Sequence, residues 1–147
     1  FQMSERKPPG MRAEYHHYLT IPTRWMDNDA YGHVNNVVYL SFADTIANRF
    51  LLDAGLDYQS DPVIGLIAEN GCRYHRAITY PESVDAGLRV AHLGRSSVRY
   101  EVGLFVAGED TARAEVFIVH VWVDRASNRA APIPDKIRTA LERILTR

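Results

Sequence analysis

Apolar residues recur at every second position along much of the second half of the chain. The clearest example starts at Ser97, where Ser, Arg, Glu and Gly alternate with apolar side chains in the segment ending at Val106. A period of two is typical of a strand that buries one face. Residues 116–123 are apolar on both faces apart from His120, which indicates a central strand or one covered by another subunit. Strands are predicted in four segments: 64–80, with room for one or two, 84–93, 97–106 and 114–124.

Between residues 36 and 54 the apolar spacing changes to four. Two adjacent rows of apolar residues predict a helix that is buried on a wide face. Asn35 or Asn36 is suited to cap its first turn, and Gly55 is suited to end it in a left-handed conformation. A shorter helix with one apolar stripe is predicted after Pro132. The two rows are Val38, Phe42, Ile46, Phe50 and Tyr39, Ala43, Ala47, Leu51, and the stripe is Ile137, Leu141, Ile144, Leu145.

The first strand is predicted in the segment 15–25, which is rich in Tyr, Leu, Ile, Thr and Trp and in which Pro22 suits an edge position. The order of elements is then strand, long helix, four strands and short helix. This order predicts an α+β domain with a helix lying along a curved antiparallel sheet. Residues 1–14 are expected to be a flexible arm, because the first two residues resemble the end of a cleavable tag before a native Met3 and the rest is polar and rich in proline.

Composition and charge narrow the classes of function. The 147 residues are 46% hydrophobic and 24% charged, which predicts one well-cored domain over residues 15–147. A net charge of −1 argues against nucleic acid or a membrane as the main partner. The single cysteine, Cys72, excludes an internal disulfide and is expected to be an idle thiol. No apolar run approaches the roughly 20 residues of a membrane span, so we expect a cytoplasmic protein.

Candidate chemistry is concentrated in residues 27–36, where two carboxylates precede the long helix. The first turn of a helix has unpaired N–H groups, so this segment can supply both a base or nucleophile and a site for developing negative charge. Asp27 is expected to be structural, bonded to the turn itself. Asp29 is either the reactive group or a second cap. A metal site formed by both aspartates and His33 is a weaker alternative, because no dense ligand pattern surrounds them.

The pattern Asp-x-Asp-x-x-Gly-His-Val-Asn-Asn, followed by Tyr39, resembles the hot-dog-fold acyl-CoA thioesterases of the 4-hydroxybenzoyl-CoA thioesterase type. The resemblance covers about residues 15–125. A second and weaker similarity lies in residues 94–101, where that family carries coenzyme A contacts on a hairpin. The resemblance implies a hot-dog fold, in which a curved antiparallel sheet wraps a long central helix, followed here by a short C-terminal helix.

The resemblance also implies a site. Asp29 takes the position of the catalytic carboxylate, as a nucleophile or a general base. A thiolate is a good leaving group, so a carboxylate and N–H donors are sufficient without a metal or a cofactor; coenzyme A is part of the substrate. The other implied residues are Gly32, His33, Val34, Asn35 and Asn36 for the turn and oxyanion site, and Arg95 and Ser97 for coenzyme A. Tyr39 and Phe42 lie on the helix and either line the substrate pocket or belong to the core. Arg73, Arg76 and Arg99 are further candidates for the phosphates by chemistry alone.

Two other functions stay open at this point. Hot-dog hydratases place a histidine five residues after the catalytic aspartate, with a proline between them, whereas His33 follows Asp29 by four residues without one. A noncatalytic acyl-CoA-binding module is the second alternative. The family further implies a homodimer or homotetramer with the pocket between subunits, so that one chain carries half of the site. The sequence does not specify the acyl group.

Overall fold

The computed structural model describes residues 7–147 and has the expected α+β hot-dog architecture. The expectations of a tag remnant and of a native start at Met3 fall outside the described residues. A five-stranded antiparallel sheet packs against one long helix. The elements are β1 (His17–Pro22), α1 (Asn36–Asp53), β2 (Val63–Tyr74), β3 (Ser83–Leu93), β4 (Ser97–Val106), β5 (Ala114–Asp124) and α2 (Asp135–Glu142), with short 3-10 helices at Arg12–Glu14 and Trp25–Asp27.

The strand order in the sheet is β1-β3-β4-β5-β2. The predicted central position of β5 is confirmed, since it pairs with β4 on one side and with β2 on the other. Pro22 ends β1, an edge strand, so the sheet loses no ladder hydrogen bond there. The segment 64–80 contains one long strand, β2, whose register shifts between Ile67 and Glu69. The outer edge of β2 has no partner strand within the described chain.

Helix α1 covers one face of the sheet, and the main core lies between the two. The wide buried face is confirmed, because its six buried residues come from both predicted rows. The side chain of Asn35 accepts the N–H of Val37 and caps the first turn. Gly55 has a φ of 98°, the left-handed conformation predicted for the C-terminal end. The buried residues of α1 are Tyr39, Phe42, Ala43, Ile46, Ala47 and Leu51, and α2 adds Ile137, Ala140 and Leu141.

The expectation of a flexible arm up to residue 14 is wrong for residues 10–14. The N–H of Gly10 donates to Glu115, and the N–H of Arg12 donates to the carbonyl of Asp110. The Arg12 guanidinium also forms an ion pair of 2.9 Å with Asp85. These contacts join residues more than 70 positions apart, so no local sequence pattern could indicate them. No helix in residues 7–147 is both long and apolar enough to cross a bilayer.

Candidate active site

The segment before α1 folds back on itself as a miniature hairpin. The N–H of Asp29 donates to the carbonyl of His33, and the N–H of Asn35 donates to the carbonyl of Asp27. Gly32 closes the turn with a φ of 77°, and its N–H donates to the carbonyl of Asp29. A residue with a Cβ rarely adopts this φ, which explains the glycine. The hairpin therefore delivers Asp29 to the beginning of α1, as the sequence predicted.

The carboxylate of Asp29 is held through one oxygen. Its Oδ1 accepts the N–H of Tyr31 at 2.8 Å and the N–H of His33 at 3.3 Å. The other oxygen, Oδ2, has no hydrogen bond to any residue in the range 7–147. The side chain is partly exposed. One oxygen thus fixes the orientation of the group, and the other remains accessible to substrate or water.

The N–H groups expected to polarise a thioester carbonyl are mostly occupied. The N–H of Val34 donates to the carbonyl of Ile78 at 2.8 Å, and the N–H of Asn35 is used inside the hairpin. Neither amide is therefore free for the implied oxyanion role in this structure. The N–H of Asn36 has no partner among the residues described. It belongs to the first residue of α1, where the helix dipole favours negative charge. Asn36 is the donor that the hairpin leaves free.

Asp27 has a structural environment, unlike Asp29. Its side chain is only 2% exposed. It accepts the backbone N–H of Arg24 at 2.8 Å and two further bonds from the Arg24 guanidinium at 3.1 and 2.8 Å. Both carboxylate oxygens are thereby bonded, and the group is turned away from solvent. This geometry agrees with the structural role expected from the sequence.

The segment 75–82 fixes the start of α1 from behind. The carbonyl of Ile78 accepts the N–H of Val34, and the N–H of Ile78 donates to the hydroxyl of Tyr39 at 2.9 Å. Tyr39 and Phe42 are 3% and 4% exposed and belong to the core. Neither residue therefore faces an open pocket within one chain. Tyr39 instead anchors the first turns of α1.

Arg113 holds the segment 75–82 in turn. Its Nη1 donates to the carbonyl of Ala77 at 2.6 Å, next to Ile78. Its Nε and Nη2 form a bidentate pair with Glu109 at 2.7 and 2.6 Å, and Nη2 also reaches Glu82 at 3.3 Å. The pKa of Glu109 is lowered, mainly by the hydrogen bonds from Arg113. A buried ion-pair network thus supports the peptide against which the Asp29 turn is docked.

Cys72 and Tyr74 lie at the end of β2 beside this turn. The hydroxyl of Tyr74 donates to the carbonyl of Asn36 at 2.9 Å, and its ring packs on that of Tyr39 at 5.0 Å. Burial raises the pKa of the Cys72 thiol to about 11. The thiol is protonated at neutral pH, which agrees with the expectation that Cys72 is not a nucleophile.

Apolar side chains surround the Asp29 turn on the solvent side. Trp25, Met26 and Tyr31 are 76%, 73% and 86% exposed, and Val37 is 61% exposed. The ring of Trp25 contacts that of Tyr80 edge to face at 5.9 Å. Large apolar groups gathered on an open surface are typical of a binding or assembly face. These exposed side chains belong to the segment that forms the Asp29 turn and to its immediate neighbours in the chain.

Arg95 and Ser97 lie at the opposite end of the sheet from Asp29. Strand β3 starts beside the turn, since Ser83 pairs with Pro22, and it ends at the hairpin that carries Arg95. Eleven residues of strand span roughly 30 Å or more. The carbonyl of Arg95 accepts the N–H of Ile133, which ties this hairpin to the chain leading into α2. One chain therefore does not bring the implied coenzyme A residues to Asp29.

The three other candidate arginines lie on the sheet and on the segment that follows β2. Arg73 and Arg99 line a groove of about 1010 Å³ whose wall also includes Tyr74, the residue that bonds the start of α1. Arg99 lies 4.3 Å from the ring centroid of Phe117 and pairs with Glu101 at 3.4 Å. Arg76 lies 3.6 Å from Glu109. Among residues 7–147 there is no cluster of three side chains suited to hold a metal ion.

The description "Thioesterase-like superfamily" belongs to the family model that matches residues 23–141. This match spans most of the chain. The chain belongs to the thioesterase-like superfamily. The matched residues include the Asp29 hairpin, α1 and all of β2 to β5. No curated protein matches the chain significantly.

Solved structures agree with this membership of the thioesterase-like superfamily. The PA5185 protein from Pseudomonas aeruginosa strain PAO1 is 46% identical, with a TM-score of 0.92, over 95% of this chain and 98% of that one. The PA2801 protein from Pseudomonas aeruginosa, whose proposed activity is that of a thioesterase, is 32% identical, with a TM-score of 0.79, over 85% and 97%. Slr0204, a 1,4-dihydroxy-2-naphthoyl-CoA thioesterase from Synechocystis, is 14% identical, with a TM-score of 0.78, over 84% and 93%, and shares the fold alone.

Several residues of this thioesterase-like chain that shape the turn were not predicted from the sequence. Ile78, Tyr74 and Arg113 act through backbone and side-chain bonds to residues 36 or more positions away. The pairing of Arg113 with Glu109 at a spacing of four was the one local signal. Both residues lie in the connection between β4 and β5, and a spacing of four brings two side chains together predictably only in a helix. The exposed Trp25 was predicted to end the first strand, which ends earlier, at Pro22.

Proposed function

We propose that this protein hydrolyses acyl-CoA thioesters and that Asp29 performs the reaction. One observation carries the proposal: Asp29 presents a free carboxylate oxygen at the start of α1, where the Asn36 N–H has no partner in the described chain. A thioester carbonyl polarised by the Asn36 N–H would be exposed to attack from the Asp29 side. Membership in the thioesterase-like superfamily supports this assignment.

The chemistry balances by two routes. In the covalent route, the Asp29 carboxylate attacks the thioester carbon, coenzyme A leaves as the thiolate, and water then hydrolyses the acyl-aspartyl anhydride. In the general-base route, Asp29 takes a proton from a water that attacks the same carbon. Either route consumes one water and yields the free acid and coenzyme A. The accessible Oδ2 of Asp29 is the attacking atom in the covalent route and the proton acceptor in the general-base route.

A second subunit is needed to complete this site, and the free edge of β2 is the surface that we propose it covers. Residues 66–70 of β2 are all exposed, and they include Leu66 and Ile67 at 42% and 48%. A long edge strand with exposed apolar side chains is a ready template for pairing with another strand. Antiparallel pairing of two β2 edges produces a two-fold dimer.

Such a dimer would bring the coenzyme A residues to the catalytic turn. Two-fold pairing reverses the partner's strands, so the partner's β3–β4 hairpin lies at the same end of the joined sheet as Asp29. Three strand spacings, about 14 Å, separate β2 from the partner's β4. We therefore place the phosphates of coenzyme A near the partner subunit's Arg95 and the partner subunit's Ser97, with the thioester at Asp29.

The assignment of Asp29 is tested with Asp29→Asn and Asp29→Ala. We expect kcat/KM to fall about 10³-fold or more, measured as free thiol released from short, long and aromatic acyl-CoA substrates. Asp124→Asn is the matched control, because Asp124 also accepts an N–H inside a turn, that of Ser127, but lies away from α1. Unchanged hydrolysis of every active substrate by both Asp29 variants would remove the assignment.

The screen also separates the alternative functions. Tight binding of acyl-CoA with no release of thiol would indicate a noncatalytic module. Water addition to an unsaturated acyl-CoA would indicate a hydratase.

The dimer is tested by light scattering, with Ile67→Lys placing a charge on the free edge of β2. A monomeric wild-type protein at micromolar concentration would contradict the paired site.

A further inference from the structure

Three buried polar atoms beneath α1 have no hydrogen-bond partner in residues 7–147. They are Oη of Tyr100, Nδ1 of His120 and Nε1 of Trp122. All three side chains are at most 2% exposed. Their rings form one cluster, with centroids 5.0 Å apart between Tyr100 and His120 and 6.4 Å apart between His120 and Trp122. Buried polar groups are nearly always paired, so three in one cluster point to a shared ligand.

The cluster packs against β2 at a glycine. Gly65 of β2 pairs with Trp122, and a Cβ at Gly65 would lie 3.1 Å from Nδ1 of His120 and 3.1 Å from Cε2 of Trp122. Any larger residue at this position would press on the imidazole and the indole. The glycine therefore leaves both rings without a side chain of β2 pressed against them.

The cluster suits a neutral ligand. Burial lowers the pKa of His120 to about 4 and raises that of Tyr100, so both side chains are uncharged at neutral pH. The carboxylate of Asp44 acts on the imidazole electrostatically and would repel an anion. The indole N–H of Trp122, which can only donate, would repel a cation.

We propose that Tyr100, His120 and Trp122 form a binding site for one hydroxyl group. A hydroxyl oxygen accepts the indole N–H of Trp122, and the same group can donate to or accept from Nδ1 of His120, whichever tautomer is present. The hydroxyl of Tyr100 can also bond the same oxygen, either as a donor or as an acceptor. A carbonyl oxygen, which only accepts, would leave one imidazole tautomer unpaired. The hydroxyl belongs either to a resident water or to the acyl group of a substrate.

The case in which a substrate supplies the hydroxyl rests on the proposed thioesterase function and on the β2 dimer. The exposed stretch of β2 is centred on Ala68, and a two-fold axis there would set Gly65 beside the partner subunit's Gly71. The partner's β2 leads within a few residues to its own catalytic turn. An acyl group bound at that turn would then extend towards the hydroxyl site of the facing subunit. A hydroxylated acyl-CoA would be favoured over its plain analogue.

A high-resolution crystal structure of the full chain tests the site directly. We expect electron density for one oxygen within hydrogen-bond distance of at least two of the three atoms. The 15N shifts of the His120 imidazole, which need no substitution, should show a hydrogen-bonded Nδ1. Absence of that density, together with an Nδ1 shift typical of an unbonded nitrogen, would overturn the proposal.

Matched substrates separate the two sources. Affinity is measured in the Asp29→Asn background for benzoyl-CoA against hydroxybenzoyl-CoA and for octanoyl-CoA against its hydroxylated forms. If the substrate supplies the hydroxyl, Tyr100→Phe weakens only the hydroxylated member, by about tenfold, the effect of one hydrogen bond. If water supplies it, Tyr100→Phe removes the ordered oxygen and changes neither affinity. Tyr15→Phe, a buried tyrosine in a separate cluster, is the control.

These outcomes remain distinct from failure of the thioesterase assignment. Loss of Asp29 would affect plain and hydroxylated substrates alike. If the ordered oxygen persists in Tyr100→Phe and both affinities stay unchanged, Tyr100 takes no part in binding it and the three-residue site is overturned, whatever Asp29 does.

Discussion

Replacing Arg113 by methionine is expected to slow turnover more than it weakens substrate binding. Arg113 does not reach the Asp29 turn itself. It holds Ala77, and the adjacent Ile78 bonds both Val34 and Tyr39 at the start of α1. Methionine has a similar length and is apolar, so it fills the space but cannot make these bonds. The segment 75–82 would lose its main side-chain support.

The expected magnitudes follow from the contacts that are lost. The Arg113 side chain is 7% exposed, whereas Glu109 and Glu82 are 27% and 33% exposed and can be rehydrated. Breaking a fully buried pair costs about 3–5 kcal/mol, so we expect a smaller loss here, about 2–3 kcal/mol of unfolding free energy. A shift of the turn by about 1 Å is enough to slow the reaction about 100-fold. We therefore expect kcat to fall 10- to 100-fold with KM within about threefold.

The assay is steady-state thiol release at a temperature where urea titration shows the variant to be fully folded. Arg89→Met is the matched control, because Arg89 is also largely buried and pairs with Glu101 at 2.9 Å but has no contact with segment 75–82. It should lose stability without losing kcat. Tyr39→Phe removes the bond to Ile78 alone, and its effect on kcat should be less than additive with that of Arg113→Met.

The reasoning is refuted by a specific result. If folded Arg113→Met keeps the wild-type kcat, the ion-pair network stabilises the fold without positioning the turn. If Arg89→Met lowers kcat equally, the effect is a general consequence of lost stability. Additive effects of the Arg113 and Tyr39 substitutions on kcat would show that they do not act through the same peptide.

Three further predictions concern the structure around the site. Asp27→Asn should cost about 1–3 kcal/mol in urea unfolding, because it weakens three bonds from Arg24, while kcat changes less than tenfold. The unfolding free energy should fall by about 3 kcal/mol between pH 6.5 and 4. The reason is that His120 binds a proton in the unfolded state over this range, whereas the folded state, with a His120 pKa of about 4, does not. Urea midpoints should therefore change less with pH in His120→Phe than in the wild-type protein. Gly103→Ala should cost about 1–3 kcal/mol by differential scanning calorimetry, because the added Cβ would lie 2.6 Å from the ring of Tyr15.

The elements that the sequence predicts best are those whose neighbours impose a simple period. Strand β4 lies between two strands with one face under α1, so apolar residues hold every second position from Val98 to Val106 and its bounds match the prediction. Strand β5 was placed centrally because residues 116–123 are apolar on both faces, and it pairs on both sides. The wide face of α1 is equally regular.

Strand β2 was harder to predict because its environment changes along its length. A register shift between Ile67 and Glu69 interrupts the alternation, and the exposed Leu66 and Ile67 do not match burial within one chain. The apolar pattern of an edge strand appears irregular when burial within one chain is the only burial considered. The same residues become regular if a second subunit covers them, which is the reason to test the dimer at Ile67.

The candidate site shows the same division between local and distant causes. Residues 27–36 are close in sequence, so their turn geometry could be predicted, and Asp27 and Asp29 do differ in their surroundings. Which N–H groups remain available could not, because Val34 donates to Ile78, a residue 44 positions away. Among the backbone N–H groups of residues 34–37, only that of Asn36 is left without a partner in the described chain. That amide cannot be removed by changing its side chain, but an ester bond in place of the amide would test it: we expect kcat to fall about 10²-fold or more, and an unchanged kcat would mean that the donor comes from the partner subunit.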